Sequence, residues 1–476
     1  MSQHDLTIDN QGFPAFRADL NNALQALGST QSGTTAPSPA FANQLWYDTT
    51  NNILKIRNED NDAWISVVTL DQSADVTSGV GAKTLPTGDL VGTSDSQTLT
   101  NKTINASQLV DASVTPAKLS TNAQYTGFKN RIINGAMVID QRNAGASVTP
   151  TSSAYTLDRW QAILTQASKF SVQQNAGSVT PPAGFTNYLG ATSTSAYSVP
   201  TSDYFLLQQS IEGFNVADLG FGTANAKTVT LSFWVRSSLT GTFGGVLSSG
   251  GFTRCYPFTY TISAANTWEY ETITIAGDTS GTWLTTNGTG MIVNFNLGSG
   301  ATVSGTAGAW SSTLYTSATG ATSVVGTNGA TFYITGVQLE VGSTATSFDY
   351  RPIGTELVLC QRYFEKSYQQ GVALGASGQG NTGQTFFVGT GNTLAGSDKI
   401  PNTTFMVTKR TAPTINTWST NGTANTLANM GGTDLATNSC TPNVANDRSF
   451  FAYNATSNVS GTNGCVQFQW AASAEL

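Results

Sequence analysis

Apolar residues recur every three or four positions near the start of the chain. They share one face of a helix that Pro14 can begin and Gly28 can end: Phe16, Leu20, Ala23, Leu24 and Leu27. Three short apolar runs follow between residues 44 and 68, with turns rich in Asp and Asn between them. Residues 1–70 are therefore predicted to form an amphipathic helix followed by a β-meander.

Residues 71–128 have a different pattern, in which small and polar residues surround isolated apolar ones. Several of the apolar positions are five residues apart: Leu99, Ile104, Leu109, Val114 and Leu119. One chain cannot build a core from such a pattern, so the segment is either a flexible linker or a shaft in which three copies wind about a shared axis. The regular spacing favours the intertwined trimeric shaft, because a flexible linker gains nothing from it.

Alternation of apolar and polar residues marks the strands of residues 129–355. In one clear run, Thr230, Ser232 and Trp234 alternate with the apolar residues Val229, Leu231, Phe233 and Val235. Residues 291–297 and 337–341 alternate in the same way, and the connections are rich in Gly, Ser and Asn. This pattern, without interleaved helices, predicts a two-sheet β-sandwich, most simply a jelly roll. Between Trp268 and Ile275 the apolar phase switches, which predicts a bulge.

Residues 356–476 are predicted to form a smaller, separate β domain at the tip of the molecule. Residues 356–368 are either a second helix or an irregular connector, and strand-like runs follow at 385–388, 404–407 and 466–470. The whole chain is thus predicted to be mostly β. Its expected order is an attachment domain, a shaft, a jelly roll and a tip, in an elongated homotrimer.

The charge balance excludes several classes of function. The 476 residues include 21 Lys and Arg against 28 Asp and Glu, for a net charge of −7, and only 10% of residues are charged where about 25% is usual. Without clustered basic residues, the chain lacks the phosphate neutralisation that nucleic-acid binding needs. Its polar surface must instead consist of hydroxyls, amides and exposed backbone, so we predict no nucleic-acid partner.

The rare reactive residues restrict the chemistry further. His4 is the only histidine, so catalytic mechanisms and metal sites that depend on histidine are not expected. The four cysteines lack metal-ligand or redox spacing, and we expect buried, reduced thiols at Cys255, Cys360, Cys440 and Cys465. No signal-peptide pattern or apolar stretch of about 18 residues is present, which predicts cytoplasmic assembly and no membrane insertion. We predict no metal and no cofactor, and a calcium site built from Asp, Glu and loop carbonyls in the jelly roll is the alternative.

Several short motifs, in this order, resemble those of bacteriophage tail fibres. They are QGFP at 11–14, QLWYD at 44–48, LKIR at 54–57, SQTLTNKTI at 96–104, RIINGAM at 131–137, DRW at 158–160, GVQLE at 336–340, QRYF at 361–364, KRTAPTI at 409–415 and AEL at 474–476. Together they span nearly the whole chain. Three charged residues lie in the motifs at 131–137 and 158–160: Arg131, Asp158 and Arg159. They either form a buried ion pair or have a structural role where the chain enters the domain, without binding a ligand.

The resemblance implies a virion protein, assembled in the bacterial host cytoplasm and mounted on the phage tail. It implies a homotrimer whose N-terminus binds tail, adaptor or nozzle proteins and whose distal β domains contact the cell envelope. The residues expected at the attachment surface are Phe13, Phe16, Leu20, Leu24 and Leu27. A fibre of the same architecture mounted on the capsid is the alternative.

The middle domain also resembles the jelly rolls of carbohydrate-binding modules, through residues 207–213, 228–236 and 338–340. Such modules stack flat aromatic rings on sugar rings, so the resemblance implies host adsorption by binding to bacterial surface polysaccharide. Aromatic residues in or beside polar loops are the candidates: Trp268, Trp283, Trp310, Tyr315 and Trp418. The alternative for each of them is packing in the core or at the trimer interface.

Two pairs of acidic residues raise the alternative of a glycan-cleaving tailspike. A glycosidase needs two carboxyl groups about 5 to 9.5 Å apart across a groove. Glu269 and Glu271 stand two apart on one predicted strand, and Glu340 and Asp349 are the other pair considered. Surface solvation explains the first pair more simply, so the expected function is non-enzymatic receptor binding.

Overall fold

The computed structural model describes residues 3–71, 76–80, 128–379, 384–387, 402–429, 432–443, 446–453 and 465–476. By its internal contacts the chain divides into two units, Met1–Leu109 and Val110–Leu476. Across these described residues, no helix has both the length and the apolar character needed to cross a membrane.

The first unit contains one helix and one antiparallel sheet. Its elements are α1 (Phe13–Gly28), β1 (Leu45–Asp48), β2 (Ile53–Arg57), β3 (Trp64–Asp71) and β4 (Val76–Val80). The strands pair in chain order, which confirms the predicted helix and β-meander. A fourth strand, β4, lies beyond the predicted boundary at residue 70. The five shaft positions, Leu99, Ile104, Leu109, Val114 and Leu119, lie outside the described residues.

The apolar face of α1 is exposed to solvent. Leu24 and Leu27 are 57% and 59% exposed, and only Ala23 and Ala26 are buried. The other residues expected at the attachment surface are exposed as well: Phe13, Phe16 and Leu20. The helix therefore packs through two alanines, because small side chains let it approach its neighbours closely.

The second unit contains an antiparallel β-sandwich. Its strands are β5 (Ala154–Leu157), β6 (Trp160–Leu164), β7 (Phe170–Gln174), β8 (Leu189–Ser193), β9 (Tyr204–Glu212), β10 (Val229–Ser237), β11 (Gly241–Ser249), β12 (Cys255–Ile262), β13 (Glu269–Ile275), β14 (Thr289–Ser299), β15 (Ser304–Gly305), β16 (Ser317–Ala318) and β17 (Thr331–Val341). One sheet has the order β13-β10-β17-β8-β7, and the other has the order β12-β11-β14-β9-β6-β5. The predicted two-sheet sandwich is confirmed.

The core lies between the two sheets. Val229, Leu231, Phe233 and Val235 are fully buried in it, as the alternation along β10 predicts. The bulge predicted within residues 268–275 is wrong, since β13 pairs with β10 in unbroken register. A register shift lies instead between β10 and β17, where Gly336 and Val337 both stand opposite Phe233.

The C-terminal part has its own core, built around one long strand. Its elements are α2 (Ile353–Gln361), β18 (Phe364–Lys366), β19 (Gln384–Phe387), β20 (Thr403–Thr404), β21 (Thr414–Trp418), β22 (Thr426–Asn429), β23 (Asp434–Ser439), β24 (Thr441–Asn443), β25 (Ser449–Tyr453) and β26 (Cys465–Ser473). Strands β18, β19, β21 and β22 all pair with β26. Residues 356–368 are thus a helix that leads into a short strand.

A buried polar seam joins this C-terminal part to the sandwich. At the end of β9, the carboxylate of Glu212 accepts two hydrogen bonds from Arg362, at 2.6 and 2.8 Å, and one from the Tyr363 hydroxyl at 2.6 Å. Burial acts to raise the pKa of Glu212, but these hydrogen bonds outweigh it and lower the pKa. Glu475 accepts from Arg159, and from Arg142 at 2.7 Å.

Two of the motifs, those at residues 131–137 and 158–160, contact each other beside this seam. The Asn134 side chain donates to the carbonyls of Ile139 and Asp158, and the Trp160 indole donates to the Asn134 carbonyl at 3.1 Å. The ion pair considered among Arg131, Asp158 and Arg159 is absent among the described contacts. Instead, Arg131 forms an ion pair with Asp218 at 2.7 Å, and the Asp158 carboxylate accepts hydrogen bonds from the backbone N–H and the side chain of Gln141.

Three of the cysteines are free thiols buried in the protein, as predicted: Cys255, Cys360 and Cys440. Burial raises the pKa of Cys440 to about 12 and raises the pKa of the other two thiols as well. These thiols stay protonated at neutral pH, which makes them unreactive. The side chain of Cys465 lies outside the described residues.

Candidate functional site

Two aromatic side chains stand on the outer face of the five-stranded sheet. Trp234 of β10 and Tyr270 of β13 are directly paired across the strands, and their ring centroids are 5.3 Å apart. Because neighbouring side chains on a strand point to opposite faces, the buried Phe233 and Val235 place Trp234 on the outside. Tyr270 is 45% exposed.

The segment 342–352 crosses the same face and is held there by two buried side chains of β17. The Glu340 carboxylate accepts the Thr346 N–H at 2.8 Å and the Thr346 hydroxyl at 2.6 Å. Gln338 donates to Glu340 at 2.8 Å and accepts the Asp349 N–H at 2.8 Å. These bonds determine where the segment places its own aromatic side chains.

Three further rings form the opposite wall. The ring centroid of Phe348 is 5.1 Å from that of Phe185 and 4.9 Å from that of Tyr350. The Tyr350 hydroxyl donates to the Gly184 carbonyl at 2.7 Å, which holds a ring that is otherwise 57% exposed. Mutual edge contacts of this kind orient aromatic rings in fixed positions.

Gly336 makes room for this wall. It adopts a left-handed conformation, with φ of +61°, at the register shift between β10 and β17. A methyl group at this position would come within 2.6 Å of the Phe185 ring. Glycine is therefore required twice over, by the backbone angle and by the close approach of Phe185.

Together these elements enclose a groove of about 430 Å³, which we call the aromatic groove. Its lining is Phe185, Ser232, Trp234, Tyr270, Gly336, Ala345, Thr346, Ser347, Phe348 and Tyr350. None of these residues carries a charge. Aromatic walls with a few hydroxyl and backbone groups suit a ligand that has both apolar faces and hydroxyls.

Two of the aromatic residues predicted to bind glycan pack into the sandwich. Trp283 is only 9% exposed, and its ring lies 4.8 Å from that of Phe221 and 5.5 Å from that of Trp310, at nearly right angles to both. Each indole N–H donates to a backbone carbonyl, Trp283 to Ser280 and Trp310 to Ala276. The ring of Tyr256 lies 5.2 Å from that of Trp310. We call the four rings of Phe221, Tyr256, Trp283 and Trp310 the packed cluster.

The other three predicted residues lie in separate places. Trp268 donates to the Thr180 carbonyl at 2.9 Å and packs edge-on against Tyr188. Tyr315 is half-buried with its ring against Gly305. Trp418, in β21, packs edge-on against Tyr368 of the C-terminal part. The structure thus brings Trp283 and Trp310 together and leaves the remaining three apart.

The residues of the aromatic groove were missed in the sequence prediction, although two of them left a signal. Trp234 occupies a polar position in the alternation along β10, and Tyr270 causes the switch of apolar phase along β13. A large aromatic residue at an outward position of a strand indicates an exposed aromatic surface. Phe185, Phe348 and Tyr350 come from connections, whose positions the periodicity does not predict.

The acidic residues considered as a hydrolytic pair have structural partners. The Glu269 carboxylate accepts the N–H groups of Ser263 and Ala264, at 3.0 and 2.7 Å, across the turn between β12 and β13. Burial, with a smaller effect from the Glu269 charge, raises the pKa of Glu271. Asp349 accepts the Asn130 N–H at 3.3 Å. In the described parts of the chain, no group of three or more His, Cys, Asp or Glu residues is arranged to hold a metal ion.

No family model matches the chain, and no curated protein matches it. Among solved structures, it is similar to the CBM4 structure, with 15% identity, over 44% of this chain and 98% of that chain, at a TM-score of 0.23. A second similar structure is a family 11 carbohydrate-binding module from Clostridium thermocellum in complex with a β-1,3-1,4-mixed-linked tetrasaccharide. It has 11% sequence identity, covers 41% of this chain and 97% of its own chain, and gives a TM-score of 0.23. Arabinose-bound MgGH51 α-L-arabinofuranosidase has 14% sequence identity over 51% of this chain and 32% of its own chain, at a TM-score of 0.23. These TM-scores are too low to support an inference by themselves, and the fold rests on the strand topology above.

Proposed function

We propose that this chain is a non-enzymatic glycan-binding protein and that the glycan lies in the aromatic groove. The observation that carries the proposal is the pair of rings, Trp234 and Tyr270, on the outer face of the sheet opposite the Phe348 and Tyr350 wall. The C–H faces of a sugar ring carry a small positive charge, and the faces of aromatic rings are negative. Stacking between them needs no ions, which agrees with an uncharged lining.

The absence of catalysis is part of the same proposal. Glu340 and Glu269 are engaged by backbone N–H groups, so their carboxylates serve to hold the segment 342–352 and a turn. A general acid must instead approach the bond that it protonates. The full chain incubated with host surface polysaccharide should therefore bind it and leave its length unchanged. New reducing ends would show that the protein is a glycan-cleaving tailspike.

We further propose that the chain is a subunit of a homotrimeric phage tail fibre. The support is the order of the fibre-like motifs along the sequence, together with the exposed apolar face of α1 in a small unit. Attachment through this face to a tail or adaptor protein would bury Phe13, Leu24 and Leu27. Multiple fibres on one particle would then convert weak sugar contacts into durable adsorption.

Binding is tested by replacing Trp234 with Ala in the full chain. The variant should lose most of its adsorption to host cells, whereas Thr272→Ala, an exposed change on the same sheet face, should adsorb normally. Equal adsorption of the two variants would contradict the assignment of the groove.

Assembly and attachment need separate tests. Sedimentation equilibrium should give three times 49.8 kDa, and a mass of one chain would rule out the trimer. Particles assembled with the double variant Leu24→Glu, Leu27→Glu should lack fibres. If the particles carried fibres at normal occupancy, α1 would not be the attachment surface. Electron microscopy of intact particles distinguishes mounting on the tail from mounting on the capsid.

A further inference from the structure

A second cavity, of about 320 Å³, adjoins the aromatic groove and shares Phe185, Phe348 and Tyr350 with it. We call this cavity the side pocket. Its other lining residues include Ala136, Val138, Ile353, Asp349, Arg351 and Glu356. A ligand that lies in the groove can therefore extend one substituent past the shared rings. The volume is at the lower end of the range for small-ligand sites, about 300 Å³ and above.

One part of the side pocket is apolar. Ala136 and Val138 are half-buried there, and Ile353 contributes an exposed side chain from the first residue of α2. The shared rings of Phe185 and Phe348 add apolar surface. This part of the pocket suits a small apolar group such as a methyl.

Most polar groups of the pocket are already hydrogen-bonded within the protein. Arg351 donates through its two terminal nitrogens to the carbonyls of Ile132 and Asn130, and Glu356 accepts from Arg351 and from the Asn134 N–H. The Arg351 Nε–H, however, is a buried donor without a hydrogen-bond partner among the described residues. That nitrogen is covered by protein atoms, so a ligand in the pocket does not reach it, and Arg351 contributes its positive charge.

Asp349 provides an acceptor that a ligand can reach, since its side chain is 20% exposed. It receives the Asn130 N–H through Oδ2, the oxygen that also lies 3.8 Å from Arg351 Nε. Its second oxygen can accept a hydrogen bond from a ligand. With Asp349 and Glu356 opposed only by Arg351, the lining carries one excess negative charge, which disfavours carboxylate, sulfate or phosphate substituents.

We propose that the side pocket binds the acetamido group of an N-acetylated amino sugar. The acetamido group donates its N–H to Asp349. Its methyl packs against Ala136, Val138 and Ile353. This inference rests on the proposed glycan binding, because the pocket is reached from the groove. It makes N-acetylhexosamine the class of sugar that the protein prefers.

The test uses matched monosaccharides, so that no particular glycosidic linkage is needed. N-acetylglucosamine, N-acetylgalactosamine and N-acetylmannosamine are compared with glucose, galactose and mannose by saturation-transfer NMR with the full chain. At least one N-acetylated sugar should bind about tenfold more tightly than its parent hexose, with the acetamido methyl receiving the strongest transfer. Equal binding of each pair would overturn the inference but leave the proposed function intact. If none of the six sugars bound, both would fail.

Two variants separate the side pocket from the groove. Ala136→Leu fills the pocket and should reduce the preference for the N-acetylated sugar to less than about twofold while the parent hexose binds as before. Because Ala136 is half-buried, Ile353→Ser is the second variant, and its exposed position leaves folding intact. It should lower the preference by about threefold. An unchanged preference in a folded Ala136→Leu protein would contradict the proposed binding mode.

Discussion

The two aromatic clusters of the sandwich use similar residues for different purposes. In the packed cluster, Trp283 and Trp310 meet edge to face, and their indole N–H groups are occupied by backbone carbonyls. In the aromatic groove, Trp234 and Tyr270 stand on the outside of a sheet, and their rings face an open space. One cluster stabilises the fold, and the other is available to a ligand.

This difference shows that a polar neighbourhood in the sequence does not indicate exposure of an aromatic ring. Trp283 follows a run of Asp, Ser, Gly and Thr residues but is nearly buried, because its connection folds back over the sandwich. Trp234 stands between Phe233 and Val235 in a strand of the core, yet it faces outward. Strand register decides the second case, and tertiary packing decides the first.

The largest effect is expected in the packed cluster. Replacing Trp283 with Ala should lower the free energy of unfolding by about 3 to 5 kcal/mol, because it removes a large buried ring and leaves a cavity. Differential scanning calorimetry of the full chain measures this as a lower melting temperature. A melting temperature equal to that of the parent protein would show that the cluster is not part of the core.

The opposite behaviour is expected in the groove. Trp234→Ala should weaken glycan binding by about tenfold or more, as for a central aromatic residue of a binding surface, and shift the melting temperature by less than about 2 °C. Isothermal titration and calorimetry on the same samples separate the two effects. Thr272→Ala is the matched control. A large loss of stability without loss of affinity would remove the distinction between the clusters.

A smaller effect is expected for the residue that positions the groove wall. Glu340→Gln removes the charge that accepts both hydrogen bonds from Thr346, so the segment 342–352 should loosen. We expect an affinity loss of about two- to fivefold. Glu269→Gln, which alters only the turn after β12, serves as control. If both variants bound equally, Glu340 would have no role in shaping the groove.

The smallest effect is expected from salt. Because no charged side chain lines the aromatic groove, raising salt from about 50 to 500 mM should change the affinity by less than about twofold. Titrations at several ionic strengths check this. A steep decline with salt would indicate that the ligand is bound by charges elsewhere on the protein.

Much of the fold was predictable because regular burial leaves a regular pattern. The period-two alternation of residues 229–235 predicted a strand in a sandwich. The recurrence of Phe16, Leu20 and Leu24 also predicted a helix, although these side chains are exposed. The switch of apolar phase before Ile275 does not correspond to a bulge, because β13 pairs with β10 in unbroken register. It reflects an aromatic side chain on the outer face, whereas the register shift lies at Gly336 on another strand.

The candidate site was less predictable because it is assembled from distant parts of the chain. Phe185 and Tyr350 are 165 positions apart, and they meet because Glu340 and Gln338 hold the segment that carries Tyr350. Periodicity describes which face of a strand is buried, but it contains no information on which connection will cross that face. The five aromatic residues predicted from loop composition therefore lie outside the groove.

By itself, the amino-acid sequence determined the strands, the helix, the low content of charged residues and the presence of a single histidine, since these follow from local pattern and composition. Only the tertiary structure decided which aromatic rings are exposed and which polar groups are left with a free hydrogen-bonding position. The physical reason is that burial and hydrogen bonding depend on contacts between residues far apart in sequence. Gly336, Glu340 and Asp349 acquire their roles from neighbours that no local pattern identifies.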